Sequence, residues 1–210
     1  MHLLKSTKTS AFIVIQNDHL LYEKYFNGYS RDSVVTSFSM AKSFASALIG
    51  MAIDEGHIQS VDDPITQYIP ELKSKGMASV TIRDLLKMSS GIKYREGLLM
   101  WGDDAKTYYA SDLRSLALNE VKLVEEPGKF FWYNNYNPLL IGIILERATN
   151  TPVSQYLQEK LWKPLGMEFP ASWSTDSQEH GFEKMESGIN ARAIDYAKFG
   201  RLFLNLGQWE

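Results

Sequence analysis

Two strand-like runs open the chain. Residues 11–16 (AFIVIQ) and 19–26 (HLLYEKYF) are rich in β-branched and aromatic side chains, and Asn17-Asp18 between them is typical of a hairpin turn. A lone two-stranded hairpin is marginal in water, and the first run is nearly continuous in apolar character, which is typical of a strand with neighbours and cover. The pattern after residue 30 offers no clear further strand. The sequence therefore predicts a sheet that this chain leaves incomplete.

Helical periodicity dominates the rest of the chain. Apolar residues fill a helix pattern over 40–53, with Gly56 as the stop signal, and again over 138–149, ended by Asn150. The last helix is predicted between Asn190 as its N-cap and Gly207 just past its end. Shorter helices are predicted from start signals at Asp63-Pro64, at the capping-box pattern Thr81-Ile-Arg-Asp84, at Asp112 and at Thr151-Pro152.

An aromatic and polar stretch at residues 92–110 separates these helices. Its pattern predicts a long loop that carries Tyr94, Trp101, Tyr108 and Tyr109. Aromatic side chains in a loop can form a wall of a substrate site, although packing into the core is their more common fate. The sequence is compatible with both interpretations.

The composition is that of a globular protein and narrows the possible chemistry. Of the 210 residues 44% are hydrophobic, and the net charge is −3, so neither a disordered chain nor a nucleic-acid-binding surface is indicated. The absence of cysteine excludes disulfides and a cysteine nucleophile, and the four histidines lack metal-ligand spacing. We therefore predict no metal, no other cofactor and no nucleic-acid partner.

The pattern also bears on the membrane and on the compartment. No apolar run reaches membrane-spanning length, so no membrane span is predicted. The first residues lack the apolar core of a signal peptide. The compartment stays open between the cytoplasm and export with removal of a signal.

The first candidate for chemistry is the pair Ser39 and Lys42, where a polar stretch turns into the helix pattern. Residues three apart share a helix face at about 5–6 Å, and the free N–H groups of a first turn can bind an oxyanion. A lysine accepts the serine proton only as a neutral amine, which requires burial or a nearby cation. The alternative is a capping serine beside a solvated lysine, which the motif alone favours. A second match, Ser90 and Lys93, encloses Gly91 at a predicted helix end and lacks a fixed helical geometry.

The second candidate is Tyr133-Asn134-Asn135, which lies between the turn at Pro127-Gly128 and the helix start at Pro138. A phenol and an amide could be held there over a site. The alternative is a packed tyrosine followed by an asparagine N-cap. The other Tyr-x-Asn match, at residues 25–27, ends the predicted hairpin and is interpreted as a turn.

Together these motifs and their connecting segments resemble the serine β-lactamase-like hydrolase family. The branch they resemble contains class C β-lactamases, D-alanyl-D-alanine carboxypeptidases, β-lactamase-fold esterases and nylon-oligomer hydrolases. The matching segments run in the family's order over nearly the whole chain from residue 36 onward. They are FSMAKSFASALIGMAIDEGHI, DDPITQYIPEL, VTIRDLLKMSSGI, EPGKFFWYNNYNPLLIGIILERATNTPVSQYL, KLWKPLGM and GINARAIDYAKFGRLFLNLG.

The resemblance implies an α/β protein with the β-lactamase/transpeptidase-like fold: a helical region plus an antiparallel sheet whose C-terminal strands are missing from this chain. Residues 1–33 would be the N-terminal hairpin of the α/β part. Residues 34–187 would be the mostly helical region that carries both motifs. Residues 188–210 would be a helix that returns to the α/β part.

The resemblance also implies roles for four residues. Ser39 would be the acylated nucleophile, Lys42 the group that accepts its proton, Tyr133 the proton relay to the leaving group, and Asn135 a substrate-binding amide. The implied function is a metal-free serine hydrolase that forms an acyl-enzyme from carboxylic esters or amides. Esterase or amide hydrolase activity is favoured over true β-lactamase activity by the likeness of the segments. The alternative is a non-catalytic or single-turnover penicillin-binding sensor or structural homologue.

The third motif of the family, Lys or His-x-Gly on a late strand, has no clear counterpart. Lys198-Phe-Gly200 matches it, but within the last predicted helix. In the family the late strand completes the sheet and supplies an oxyanion donor. We therefore expect the hairpin to need a partner, either a further C-terminal segment or a second chain, because an open sheet edge pairs readily with other strands.

Overall fold

The computed structural model of the chain describes residues 2–97 and 101–209. The strands of the described part are β1 (Ala11–Gln16), β2 (His19–Tyr25), β3 (Val34–Thr36), β4 (Ser172–Trp173) and β5 (Ile189–Arg192). Its α-helices are α1 (His2–Ser6), α2 (Ala41–Asp54), α3 (Ile82–Leu86), α4 (Asp103–Tyr109), α5 (Leu113–Glu120), α6 (Tyr136–Thr149), α7 (Val153–Leu157) and α8 (Ala193–Leu204). Short 3-10 segments cover Phe38–Met40, Ile65–Gln67, Pro70–Lys75 and Met77–Ser79, and a π-helical turn covers Gln158–Trp162.

The predicted hairpin is confirmed. Strands β1 and β2 pair antiparallel with one register shift, and both turn residues, Asn17 and Asp18, have positive φ (50° and 61°), as a type I′ turn requires. Helix α8 contacts β1, and Arg201 Nη2 donates to Asp18 Oδ2 over 2.8 Å. The hairpin still exposes large apolar side chains such as Leu21, which is 58% exposed. Within the described residues, the apolar side chains of this sheet are therefore only partly covered by other elements.

A second antiparallel sheet corrects the prediction that no strand follows residue 30. Strand β5 pairs with β3 on one side and with β4 on the other. Asn190, predicted as the N-cap of the last helix, lies in β5 instead, and the last helix begins at Ala193. The Asn190 side-chain oxygen accepts from the Thr36 hydroxyl over 2.7 Å, and its amide donates to Ser174 Oγ over 2.9 Å. Strands of two to four residues are too short to show an alternating pattern.

The core is built around α6. Every residue from Tyr136 to Leu145 is buried, as expected for a helix that is apolar all round. Helix α2 packs against α6, and the ring of Phe44 on α2 stacks on Phe199 of α8 with 3.6 Å between centroids. Full burial of a side chain of this size stabilises a fold by about 1.5–3 kcal/mol. Helix α2 is therefore anchored in the core, and this packing fixes the position of its first turn.

Of the four predicted helix starts, three are followed by α-helices and the one at Asp63-Pro64 is wrong. Asp112 caps α5 with its side chain, and α7 begins directly after Pro152. Thr81 and Asp84 form a capping box at the start of α3. Pro64 does not open an α-helix, because it is extended with ψ of 134° and precedes a single 3-10 turn. The Asp63 carboxylate accepts instead from two backbone N–H groups of the preceding turn.

The loop predicted at residues 92–110 is only partly a loop. Helix α4 occupies its second half and has two acidic residues in its first turn, where carboxylates stabilise the helix dipole. Tyr94 is buried and packs edge-on against Tyr136 with 5.9 Å between centroids, whereas Trp101 and Tyr109 are exposed. Residues 98–100 of the predicted loop lie outside the described residues.

Gly142 of α6 makes a close approach that a side chain would block. A Cβ at this position would lie 2.5 Å from Met185 Cγ and 3.0 Å from Phe182 Cζ. Glycine inside a helix normally costs about 0.5–1 kcal/mol relative to alanine. Replacement of a helical glycine by alanine therefore normally stabilises a protein. We expect Gly142→Ala instead to lower the free energy of unfolding by about 1–3 kcal/mol through overpacking, as measured by denaturant titration.

Gly50→Ala is the matched control for this prediction. Gly50 is an exposed glycine of α2, and a Cβ there would meet nothing within 4 Å. This substitution should raise the free energy of unfolding by up to about 1 kcal/mol. If Gly142→Ala gained stability in the same way, the close packing of α6 on Phe182 and Met185 would be contradicted.

Candidate functional site

Ser39 and Lys42 meet at the start of α2. Ser39 is exposed and lies in the 3-10 segment Phe38–Met40, and Lys42 is the second residue of α2. Lys42 Nζ donates to Ser39 Oγ over 3.2 Å. A hydroxyl and an amine thus share a hydrogen bond at an accessible helix start.

The backbone that leads to Ser39 is strained. Phe38 has φ of 46°, a left-handed conformation that costs a residue with a Cβ about 1–2 kcal/mol. The preceding residue is tied to β5, because the Ser37 N–H donates to the carbonyl of Ile189, the first residue of that strand, over 2.7 Å. The Ser37 hydroxyl also lies 3.3 Å from the Ser187 carbonyl oxygen. These contacts fix the direction in which the chain presents Ser39.

Lys42 has two further partners. Its Nζ donates to the Glu186 carbonyl over 2.8 Å and lies 5.0 Å from the centroid of the Tyr133 ring, which is within cation–π range. Glu186 follows Lys42 by 144 positions in the chain, so this contact depends on the tertiary fold. Lys42 therefore joins the serine, the segment before β5 and the tyrosine of the second motif.

Tyr133 belongs to an extended segment that leads into α6. Its neighbour Trp132 donates its backbone N–H to the Met88 carbonyl over 2.7 Å, which anchors the segment. Tyr133 is 40% exposed, so part of this residue is accessible to a bound molecule. Tyr136, the other tyrosine of this stretch, is buried and bonded to Asp103 Oδ1 over 3.1 Å. Burial raises the pKa of Tyr136, which makes it a poor proton donor to a substrate.

Asn135 lies close to this group but is bonded elsewhere. Its Nδ2 donates to Thr107 Oγ1 of α4 over 3.3 Å, and the Thr107 hydroxyl in turn donates to the Asp103 carbonyl over 2.8 Å. The Asn135 Oδ1 atom is buried, and no partner for it occurs among the described residues. The structure therefore does not show this oxygen in reach of a bound molecule, and the substrate-binding role predicted for Asn135 stays a prediction.

The structure separates the two matches to the Ser-x-x-Lys pattern. Ser90 is buried and donates to Asn137 Oδ1 over 2.7 Å, so its hydroxyl is occupied within the core. Lys198, of the late Lys-x-Gly match, lies in α8 and donates to the Gly166 carbonyl over 2.6 Å. Only the Ser39 match therefore combines an exposed hydroxyl with a lysine contact.

An open apolar cavity lies along the segment that precedes Tyr133. Its volume is about 620 Å³, and its aromatic lining comprises Tyr94, Phe130, Phe131 and Trp132. The last three are more than half exposed. The sequence pointed to residues 94–109 for an aromatic wall, and of the aromatic residues named there only Tyr94 lines this cavity.

Sequence reasoning did not find Ser37, Glu186, Ser187 and Ile189. Their contribution is made mostly through backbone groups, which leave no residue-type signal. Within residues 2–97 and 101–209, no cluster of three or more His, Asp or Glu side chains is arranged to hold a metal ion. In the same ranges no helix has the length and apolar character needed to cross a membrane.

The fold and the motifs define a β-lactamase-fold protein, with Ser-x-x-Lys at the start of the first long helix and Tyr-x-Asn before the central helix. The chain belongs to the Beta-lactamase family, whose model matches residues 4–209. The 6-aminohexanoate-dimer hydrolase of Paenarthrobacter ureafaciens is 28% identical over 223 residues, which cover 97% of this chain and 54% of that protein.

Solved structures agree with this family. A Bacillus anthracis structure, provisionally described as a 6-aminohexanoate-dimer hydrolase, is 31% identical with a TM-score of 0.87 and is matched over 100% of this chain and 57% of its own. The octameric penicillin-binding protein homologue from Pyrococcus abyssi shares the fold, with a TM-score of 0.75 at 22% identity over 94% of this chain and 52% of its own. The chain thus spans about half the length of these relatives.

The strained Phe38 gives a direct test of the local geometry. Alanine and glycine at position 38 both remove the ring, but only glycine adopts positive φ without cost. We expect Phe38→Gly to be more stable than Phe38→Ala by about 1 kcal/mol, as measured by the midpoint of denaturant unfolding. Since glycine is usually the less stable of the two, equal midpoints or the usual order would contradict a left-handed residue before Ser39.

Proposed function

We propose that the protein is a serine hydrolase that forms an acyl-enzyme on Ser39 from a carboxylic ester or amide. The observation that carries the proposal is the 3.2 Å contact between Lys42 Nζ and Ser39 Oγ at an exposed helix start. Membership of the Beta-lactamase family supports it. The 6-aminohexanoate-dimer hydrolase relative, which matches 97% of this chain, supports an amide or ester substrate over a β-lactam.

The proposed first step is attack by Ser39 Oγ on the carbonyl carbon. Lys42, as the neutral amine, takes the hydroxyl proton while the new C–O bond forms. Transfer of this kind typically contributes about 10²–10⁴ in rate. The hydrogen bond to the Glu186 carbonyl (2.8 Å) holds the Lys42 side chain in one orientation. The amine therefore lies beside Ser39 without having to sample other rotamers.

The proposed second role belongs to Tyr133. As the tetrahedral intermediate collapses, the leaving amine or alkoxide takes a proton that Tyr133 relays from Lys42. The ring of Tyr133 lies 5.0 Å from Lys42 Nζ, and this contact between the two side chains supports the proposed relay. Asn135 is proposed as the substrate-binding amide of the same motif; its Oδ1 atom lacks a partner in the described part of the chain but is buried, so a substrate N–H reaches it only after the Asn135 segment moves.

We infer that full activity needs a further segment or a second chain beside the β1–β2 hairpin. Apolar side chains of the hairpin are exposed, and this chain covers only 54% of the aminohexanoate-dimer hydrolase relative. A strand added there would cover the hairpin and could supply a second oxyanion donor. Loss of one such donor typically costs about 10²–10³ in rate.

The identity of the nucleophile is tested by covalent labelling. A fluorophosphonate should form a bond from phosphorus to Ser39 Oγ with loss of fluoride, and the serine proton should pass to Lys42. Peptide mapping by mass spectrometry of the full-length protein should place the adduct on Ser39 and leave buried Ser90 unlabelled. An adduct on another serine, with Ser39 intact, would disprove the proposed nucleophile.

The role of Lys42 is tested by Lys42→Met, which keeps an unbranched side chain and removes the amine. Because the substitution deletes the proton acceptor, we expect the rate of fluorophosphonate labelling and of ester turnover to fall by about 10²–10⁴. Lys93→Met, in the second Ser-x-x-Lys match, should leave both rates within about twofold of wild type, since the exposed charge of Lys93 is screened by solvent. Similar losses in the two variants would contradict a specific role for Lys42.

A further inference from the structure

The apolar cavity along the segment before Tyr133 has no part in the reaction steps proposed above. Its volume is about 620 Å³, and its aromatic lining comprises Tyr94, Phe130, Phe131 and Trp132. Ligand sites in proteins are typically concave, of a few hundred cubic ångströms, and lined mostly by apolar and aromatic side chains. The cavity therefore has the size and the lining of a small-molecule site.

Three consecutive aromatic residues of this cavity are exposed. Phe130 is 57% exposed, Phe131 71% and Trp132 62%. Single apolar side chains are common at protein surfaces, but a contiguous exposed apolar patch marks a site of interaction. Cationic and acidic side chains occur in equal numbers among the other lining residues, and all of them are exposed to solvent. The lining thus favours an uncharged, apolar ligand.

Hydrogen bonds hold the walls of the cavity together. The Asn134 side-chain amide donates to the Ile92 carbonyl over 2.9 Å, which ties the segment of the exposed aromatic residues to a second wall. The Val124 N–H donates to the Gly91 carbonyl over 3.0 Å, which joins the third segment of the lining to that same wall. A cavity that is formed before binding takes up a ligand at a lower cost in ordering.

The cavity adjoins the tyrosine side of the proposed site. Trp132 directly precedes Tyr133, whose ring lies 5.0 Å from Lys42 Nζ. The Trp132 N–H donates to the Met88 carbonyl over 2.7 Å, and Met88 and Lys42 line one small cleft of about 40 Å³. Two separate contacts therefore connect the wall of the cavity to the surroundings of Lys42.

We propose that this cavity is the leaving-group subsite and that it selects esters or amides whose alcohol or amine part is apolar and uncharged, with a long alkyl or an aryl group. This proposal rests on the function proposed above, in which Tyr133 relays a proton to the leaving group. The leaving group then lies on the side of Tyr133, where the cavity begins. Each methylene that moves from water into the cavity strengthens binding.

The test compares three esters in the full-length protein. Hexyl acetate and ethyl hexanoate are isomers that carry the six-carbon chain on the alcohol side and on the acyl side, respectively. Ethyl acetate is the short reference, and its alcohol is similar in basicity to hexanol. We expect kcat/KM for hexyl acetate to exceed that for ethyl acetate by at least about tenfold and also to exceed that for ethyl hexanoate. A preference for ethyl hexanoate would place the chain on the acyl side and overturn the proposal.

Phe131→Ala tests the lining itself. Because Phe131 is the most exposed of the aromatic lining residues, its truncation removes little of the core. We expect the ratio of kcat/KM for hexyl acetate to that for ethyl acetate to fall by at least about threefold, whereas Phe131→Tyr, which keeps a ring, should retain the ratio. A purely structural defect changes both rates together and leaves the ratio unchanged.

Phe203→Ala is the matched control. Phe203 is a similarly exposed phenylalanine (54%) on α8 and is not part of the cavity lining. The substrate ratio of this variant should equal that of wild type. An equal fall in Phe203→Ala and Phe131→Ala would overturn the assignment of the preference to the cavity.

The outcomes separate this proposal from the proposed function. If fluorophosphonate does not label Ser39 and no ester is hydrolysed, the proposed function fails. If Ser39 is labelled but hexyl acetate is hydrolysed no faster than ethyl acetate, or if Phe131→Ala keeps the wild-type ratio, the subsite is overturned while the nucleophile stands. This last result is expected if a further segment or a second chain, rather than the substrate, fills the cavity.

Discussion

The hydrogen bond from Lys42 Nζ to the Glu186 carbonyl is the contact on which the candidate site depends. It joins residues 144 positions apart and acts together with the Ser37 N–H bond to the Ile189 carbonyl. Each such bond contributes only about 0.5–1.5 kcal/mol net, so the packing beneath must hold the two segments together. That packing is visible in the pairing of β3 with β5 and in Tyr196, whose hydroxyl lies within 3.0 Å of carbonyl oxygens on both strands. None of these contacts involves Ser39 itself. Because they hold the neighbouring backbone in place, Ser39 can be presented from a strained turn.

This arrangement places two opposing demands on Lys42. Its contacts with the Ser39 hydroxyl, the Glu186 carbonyl and the face of the Tyr133 ring all suit an ammonium group. A general base for Ser39 must instead be a neutral amine.

The sequence predicted the parts of the molecule that carry strong local signals. The hairpin with its Asn17-Asp18 turn, the capping box at α3 and the apolar helix α6 depend on short-range chemistry, and all three are present. Asn190 was misassigned because an asparagine before an apolar run satisfies the N-cap pattern equally well when it belongs to a four-residue strand. Glu186 gave no signal, since its contact with Lys42 is made by a backbone carbonyl that any residue possesses. The pairing of Ser39 with Lys42 could be predicted because both lie within one helical turn, whereas their fixation by a segment beyond residue 180 could not.

The central claim is that one lysine bridges the nucleophile and the segment before β5 in the reactive protein. The most direct measurement is a crystal structure of the full-length protein after reaction with a fluorophosphonate. The account predicts phosphorus bonded to Ser39 Oγ, with Lys42 Nζ within hydrogen-bond distance of both that oxygen and the Glu186 carbonyl, and the Tyr133 hydroxyl facing the adduct. A labelled Ser39 with Lys42 turned into solvent and the Glu186 carbonyl bonded elsewhere would contradict it.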